Sequence, residues 1–231
     1  VSLLINSATS NKVALCITKK DFDELIASCE DSEMIVKFPH QKATMAGISG
    51  AALHRFNTLP RYLLDREVCE TDPTYLQLIP YTILYNADDE ILIYTRGKKG
   101  SEDRLHSLRS IGFGGHIEEA TEEPLINLIV RANHRELVEE LGLANERCMF
   151  SNNDGDPIIL LQHEFDEVGK VHMGVVFMGR INKDDIGEEE AGVINELEWI
   201  DKDLLIDGYK KGNINLELWS SLFIDAMTSS D

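Results

Sequence analysis

Apolar and polar residues follow two rhythms along this chain, and the change from one to the other outlines its elements. Val13–Ile17 is a short apolar run of strand length. Thr18 followed by Asp21 has the pattern of a helix start, with Phe22, Leu25 and Ile26 spaced to share one face. Met34–Phe38 is a second strand candidate, whereas residues 39 to 60 are rich in small side chains and show no clear period. Asp72-Pro73 marks a boundary. Beyond it, Leu78–Tyr85 and Glu90–Arg96 are β-branched runs joined by Asn86-Ala87-Asp88-Asp89, which predicts a hairpin. A Gly- and Lys-containing stretch from Gly97 to Ser110 leads to the turn Gly112-Phe113-Gly114-Gly115. The period then lengthens to that of a helix from Glu122 to Leu141, with Pro124 tolerated in its first turn and Gly142 as a left-handed stop.

Strand candidates resume at Ile158–Phe165 and Val171–Ile181, joined by Asp166-Glu167-Val168-Gly169, and again at Val193–Ile200. Asp201 can cap a helix holding Leu204 and Leu205, and Leu216, Trp219, Phe223 and Met227 form the apolar stripe of a last helix. Strands and helices in this order predict an α/β (α+β) sandwich, a mixed β-sheet flanked by helices. The organisation expected is a mixed α/β unit over residues 1–70, then a larger domain over 71–231.

The 231 residues suffice to bury a sizeable core. No apolar run approaches the length of a membrane span, and no secretory pattern opens the chain. Cys16, Cys29, Cys69 and Cys148 are scattered without a C-x-x-C, which favours a reducing, cytoplasmic setting and argues against structural zinc. The net charge of −19 repels nucleic acid polymers and would also repel a phosphorylated small molecule. A protein so acidic needs bound cations or a local basic patch to handle phosphates.

Both features are visible. From Tyr94 to His116 five cations (Arg96, Lys98, Lys99, Arg104, Arg109) stand against two acids, a net of +3. From Ile117 to Glu140 seven acids stand against two arginines, a net of −5. Within that acidic run Glu136, Glu139 and Glu140 fall at i, i+3 and i+4, one face of a helix. Like charges so close call for a cation, and Mg²⁺ prefers oxygen ligands. The plainer account is a solvated helix end, with Leu137, Val138 and Leu141 as its core side.

Gly115, Arg135-Glu136-Leu137, Glu139-Glu140 and Gly142-Leu143 resemble the signature of the Nudix hydrolase family, G-x5-E-x7-R-E-U-x-E-E-x-G-U, in which U is a bulky aliphatic residue. The second half matches at every fixed position. The first half is stretched: Gly115 and Arg135 lie 20 positions apart where the pattern has 14, and Asn127 stands where its first Glu belongs. Glu118, Glu119, Glu122 or Glu123 is available to replace that Glu, which in the family orders the loop and partners the box Arg.

The resemblance implies that Glu136, Glu139 and Glu140, with the Gly114 carbonyl, hold Mg²⁺ or Mn²⁺, and that Arg135 orients the acids. It implies a metal-activated water attacking the diphosphate of a nucleoside diphosphate linked to another moiety, with a Glu as general base. Glu139, Glu140 and, farther on, Glu198 are candidates for that base, with Glu196 and the run Glu188-Glu189-Glu190 competing with Glu198. Arg96, Arg104 and Arg109 are the candidate contacts to substrate. Dimers are frequent in the family, so a homodimer is compatible with it. The alternative is a catalytically weak Nudix-fold domain that binds or senses a nucleotide. A Nudix-fold isomerase of isopentenyl diphosphate is a minor option, given the intact Arg-Glu-x-x-Glu-Glu segment.

Overall fold

The computed structural model describes residues 12–29, 35–97, 108–143, 149–150, 158–187 and 194–228. Twelve strands and six helices alternate along it: β1 (Val13–Thr18), α1 (Lys19–Ala27), β2 (Ile35–Phe38), β3 (Ala43–Ile48), α2 (Gly50–Asn57), β4 (Tyr62–Asp65), α3 (Arg66–Cys69), β5 (Tyr75–Tyr85), β6 (Glu90–Arg96), β7 (Arg109–Ser110), β8 (Gly112–Phe113), α4 (Leu125–Leu141), β9 (Met149–Phe150), β10 (Ile158–His163), β11 (His172–Arg180), β12 (Ile194–Asp201), α5 (Lys202–Lys210) and α6 (Leu218–Thr228). The fold class is the expected one, a mixed β-sheet flanked by helices. Two compact units are distinguished, each assembled from separated stretches of chain. One holds Val1–Tyr81, Gly115–Asn133 and Asn152–Val176, and the other Thr82–Gly114, His134–Ser151 and Phe177–Asp231.

In the first unit β1 lies antiparallel between β4 and the start of β5, with Ala14 opposite Leu64 and Cys16 opposite Gln77. β3 is paired on both sides, by β2 and by β10. Thr18 caps α1 as its sequence suggested: its hydroxyl oxygen accepts from the Asp21 amide at 3.0 Å and its hydroxyl donates to the Asp21 carboxylate at 2.6 Å. Phe22, Leu25 and Ile26 are the buried face. Residues 39 to 60, without a clear period in sequence, contain β3 and α2.

In the second unit β6 is central, paired with β12, β7 and the end of β5, while β8 pairs with β5 at Thr82 and Ile83. The hairpin between β5 and β6 turns on Asn86, whose side-chain oxygen accepts from the amides of Asp88 and Glu90, with Asp89 left-handed at φ 58°. Leu137, Leu141 and Leu143 pack on Leu84, Leu92, Tyr94 and Phe113, so the C-terminal half of α4 is fastened to these strands by apolar burial. Gly142 ends that helix at φ 59°, a conformation open to glycine at little cost. Asp201 caps α5 through the amides of Asp203 and Leu204.

Two helix starts differ from expectation. α4 begins at Leu125, so Pro124 stands before the helix and not inside its first turn. α6 begins at Leu218, leaving Leu216 outside it, and the Glu217 carboxylate serves as its cap by accepting from the amides of Trp219 and Ser220. In α5, Leu205 is buried but Leu204 is 65% exposed.

Candidate functional site

The last two turns of α4 carry the acidic triplet, and burial sorts its members. Glu136 has a side chain 14% exposed and Glu140 is 8% exposed, whereas the Glu139 side chain is 53% exposed. This follows from helix geometry. Leu137 and Leu141 are drawn into the core, so the positions immediately before them turn partly inward and Glu139 turns to solvent. Val138 is half-buried, not core.

Arg135 reaches both neighbours on its own helix, Glu136 at 2.5 Å and Glu139 at 2.9 Å. It thus ion-pairs with two of the three acids. Upstream, Gly114 has φ 152°, a backbone conformation that side chains rarely adopt, directly after β8. Tyr94 donates to the Gly112 carbonyl at 3.2 Å, and the Ser110 hydroxyl donates to the same oxygen at 3.1 Å. Burial above all pushes the Tyr94 phenol up to about 12, and the Glu140 carboxylate adds to the effect while Arg96 opposes it.

The six extra residues leave Asn127 exposed in the first turn of α4. Of the acids available to replace the missing Glu, Glu119 and Glu123 bind Arg131, each at 2.7 Å, and Thr121 donates to Glu123 at 2.8 Å. Arg131 and Thr121 hold the Glu123 carboxyl below the usual carboxylate range. The loop acids are therefore bound one turn before the box arginine. Arg61, 2% exposed, donates to the Glu123 carbonyl at 2.6 Å and fastens the same segment. Neither arginine was singled out from sequence. Arg131 stands at i−4 from Arg135, and that spacing was its available signal.

Two other candidates, 89 residues apart, meet directly: Arg109 donates to the carboxylate of Glu198. Glu198 lies on β12 opposite Ile93, and Arg109 opens β7 opposite Thr95. Glu196 accepts from the Thr95 hydroxyl at 2.9 Å. Arg96 ends β6 and is partly buried. Arg104 and Glu188-Glu189-Glu190 lie outside the described residues.

The oxygen-only donors of the triplet suit a hard divalent cation in type. In arrangement they do not: among the described residues no group of three His, Cys, Asp or Glu side chains is gathered closely enough to hold one ion. Glu136 and Glu139 face Arg135 instead.

No family model matches the chain. It is 30% identical over 173 residues to the protein YmaB of Bacillus subtilis, a match covering 71% of this chain and 77% of YmaB. The chain belongs to the YmaB family. Among solved structures, this YmaB-family chain is similar to Tm1382, assigned to the Nudix hydrolases. The TM-score is 0.64 at 19% identity, over 95% of the chain and all of Tm1382. The fold of this YmaB relative is therefore the Nudix fold. Among its described residues no helix is long and apolar enough to cross a membrane.

Proposed function

We propose that this chain is a Nudix-fold domain that binds a small molecule of nucleoside diphosphate type, with weak or absent catalysis. The observation that carries this reading is the engagement of the candidate catalytic groups with one another. Arg135 holds Glu136 and Glu139, and Arg109 holds Glu198. The basic stretch from Tyr94 to His116, net +3 in a chain of net −19, supports an anionic ligand.

A second reading, Mg²⁺- or Mn²⁺-dependent hydrolysis of a diphosphate bond, is favoured by the intact residues Arg135, Glu136, Leu137, Glu139, Glu140, Gly142 and Leu143. Energetics leave this reading open. An exposed arginine–carboxylate pair one helical turn apart is worth about 0.3–0.5 kcal/mol, and a divalent cation collecting three carboxylates exceeds that.

The test is a panel of nucleoside diphosphate compounds, measured for binding by calorimetry and for cleavage with Mg²⁺ or Mn²⁺, with Glu139→Gln and Glu140→Gln as controls. The binding reading predicts micromolar association, negligible turnover and affinity retained in both variants. Turnover abolished by Glu140→Gln would replace it with the hydrolase reading. Absence of any binding would overturn both.

A further inference from the structure

A cleft of about 760 Å³ opens in the second unit, lined by Thr95, Arg109, Asn195, Glu196, Asn213 and Asn215, with Ile214 its one aliphatic wall. Its size lies within the range of small-molecule sites, roughly 300–1,000 Å³.

The walls are held in place by backbone bonding. The Arg109 amide donates to the Asn215 carbonyl at 3.0 Å, and the Glu217 amide returns to the Arg109 carbonyl at 2.9 Å. The amides of Asn213 and Ile214 both donate to the Gly208 carbonyl, at 2.8 and 3.1 Å. The 213–215 segment is thus pinned at each end, and its amide side chains stand on a fixed frame.

The opposite wall is distorted. β12 pairs with β6 at Asn195↔Thr95 and resumes at Glu198↔Ile93, so one extra residue bulges out of β12 between them. Glu196 sits in that bulge with φ 48°, a left-handed conformation costly for a side chain with a Cβ. Bulges re-aim side chains, and strained non-glycine backbone concentrates at ligand sites. Here the re-aimed side chain lines the cleft. Beside it, the Arg109 Nε is buried with no hydrogen-bond partner among the described residues.

The lining argues against two ligand chemistries. A phosphate would meet the Glu196 carboxylate and an arginine already engaged by Glu198. A nucleobase would find no aromatic face to stack on. What remains is matched by a hydroxyl-rich, uncharged group. Each hydroxyl both donates and accepts, three carboxamides offer both functions, and Glu196 retains acceptor capacity beyond its bond from Thr95.

We infer that this cleft binds a sugar linked to the terminal phosphate of the ligand, with Asn195, Glu196, Asn213 and Asn215 setting which sugar is accepted. The inference deepens the proposed function and rests on it, since that sugar is the moiety linked to the nucleoside diphosphate.

The test compares ADP with ADP-ribose and ADP-glucose, and UDP with UDP-glucose, by calorimetry on the full chain and on Asn213→Ala/Asn215→Ala and Glu196→Gln. A ligand sugar making two lost hydrogen bonds predicts about a tenfold weakening of the sugar compounds in the double variant, with ADP and UDP unchanged. Equal affinity for diphosphates with and without the second sugar, or equal loss of both in the variants, overturns the inference while leaving the proposed function intact. If no diphosphate binds, the proposed function fails. The cleft is then read separately, by titrating ribose and glucose against the side-chain amide NMR signals of Asn195, Asn213 and Asn215. Selective shifts of those signals sustain a sugar cleft, and unmoved signals overturn it.

Discussion

Replacing Gly187 by alanine should unseat the acidic end of α4 without touching an acidic residue. The Gly187 amide donates to the Leu141 carbonyl at 2.9 Å, one of the last carbonyls of the helix. A Cβ on Gly187 would lie 2.6 Å from the Gly142 carbonyl oxygen, 3.2 Å from its carbon and 3.3 Å from its Cα. All three are backbone atoms, and Gly142 is itself fixed at φ 59° by ending the helix, so no side chain can swing away to make room. Overpacking of this kind costs roughly 1–3 kcal/mol, and losing the Leu141 hydrogen bond adds about 0.5–1.5 kcal/mol. The expected loss is about 2–4 kcal/mol, a large share of the ~5–15 kcal/mol that holds a typical domain together. Both tryptophans of the chain, Trp199 and Trp219, belong to the same unit as Gly187, so urea unfolding followed by tryptophan fluorescence reads it directly. Gly212→Ala is the control. Gly212 has φ 72° but open space around its Cβ position, so only the backbone penalty of about 1–2 kcal/mol applies. A Gly187→Ala transition that coincides with wild type, or with Gly212→Ala, would refute the reasoning.

Arg61→Met should cost about 2–4 kcal/mol, because it strips a buried charged donor from the carbonyls of Glu123, at 2.6 Å, and Asn57, at 3.4 Å. Hydrogen exchange should speed up at the Ile126 amide, which donates to the Asn57 side chain, and unchanged protection there would show that Arg61 does not anchor the helix start. His116 supplies the pH dependence. Burial above all, with Arg66, His172 and Lys12 adding to it, lowers its folded pKa to about 3. The unfolded chain therefore binds more protons between the ordinary histidine value near 6.5 and about 3, and stability is full above that window and lost as pH falls through it. The slope from this one group is at most about 1.4 kcal/mol per pH unit. Denaturation of His116→Gln between pH 7 and pH 4 should show that part of the slope missing, and an unaltered slope would assign the acid sensitivity elsewhere.

Local signals in the chain were reliable where a side chain acts on its own neighbourhood. Thr18 and Asp201 cap the helices that follow them, Asn86 shapes its hairpin, and Gly142 stops α4. Each effect spans a few residues, so the pattern contains its cause. Residues 39 to 60 resisted because β3, Ala-Thr-Met-Ala-Gly-Ile, has little β-branched content and is held by partners on both sides instead. The early part of the expected helix at Glu122 failed for a related reason. Glu123 is claimed by Arg131 through its side chain and by Arg61 through its carbonyl, and these long-range bonds fix the segment outside the helix.

The candidate site divides along the same line. Spacing alone placed Glu136, Glu139 and Glu140 on one helical face. Which of them is inward depends on the strand residues that bury Leu137 and Leu141, and no local pattern carries that. The contacts Arg109–Glu198 and Thr95–Glu196 join segments 89 and 101 residues apart. They exist because β6 pairs with β7 on one side and β12 on the other, an arrangement that only the sheet defines. The pairing of Arg135 with Glu136 and Glu139 lies within one helix and bears on the metal question directly. If Arg135 competes with a cation for these acids, Arg135→Gln should strengthen the binding of Mn²⁺ measured by its paramagnetic effect on water relaxation. An affinity identical to wild type would show that the arginine does not compete for them.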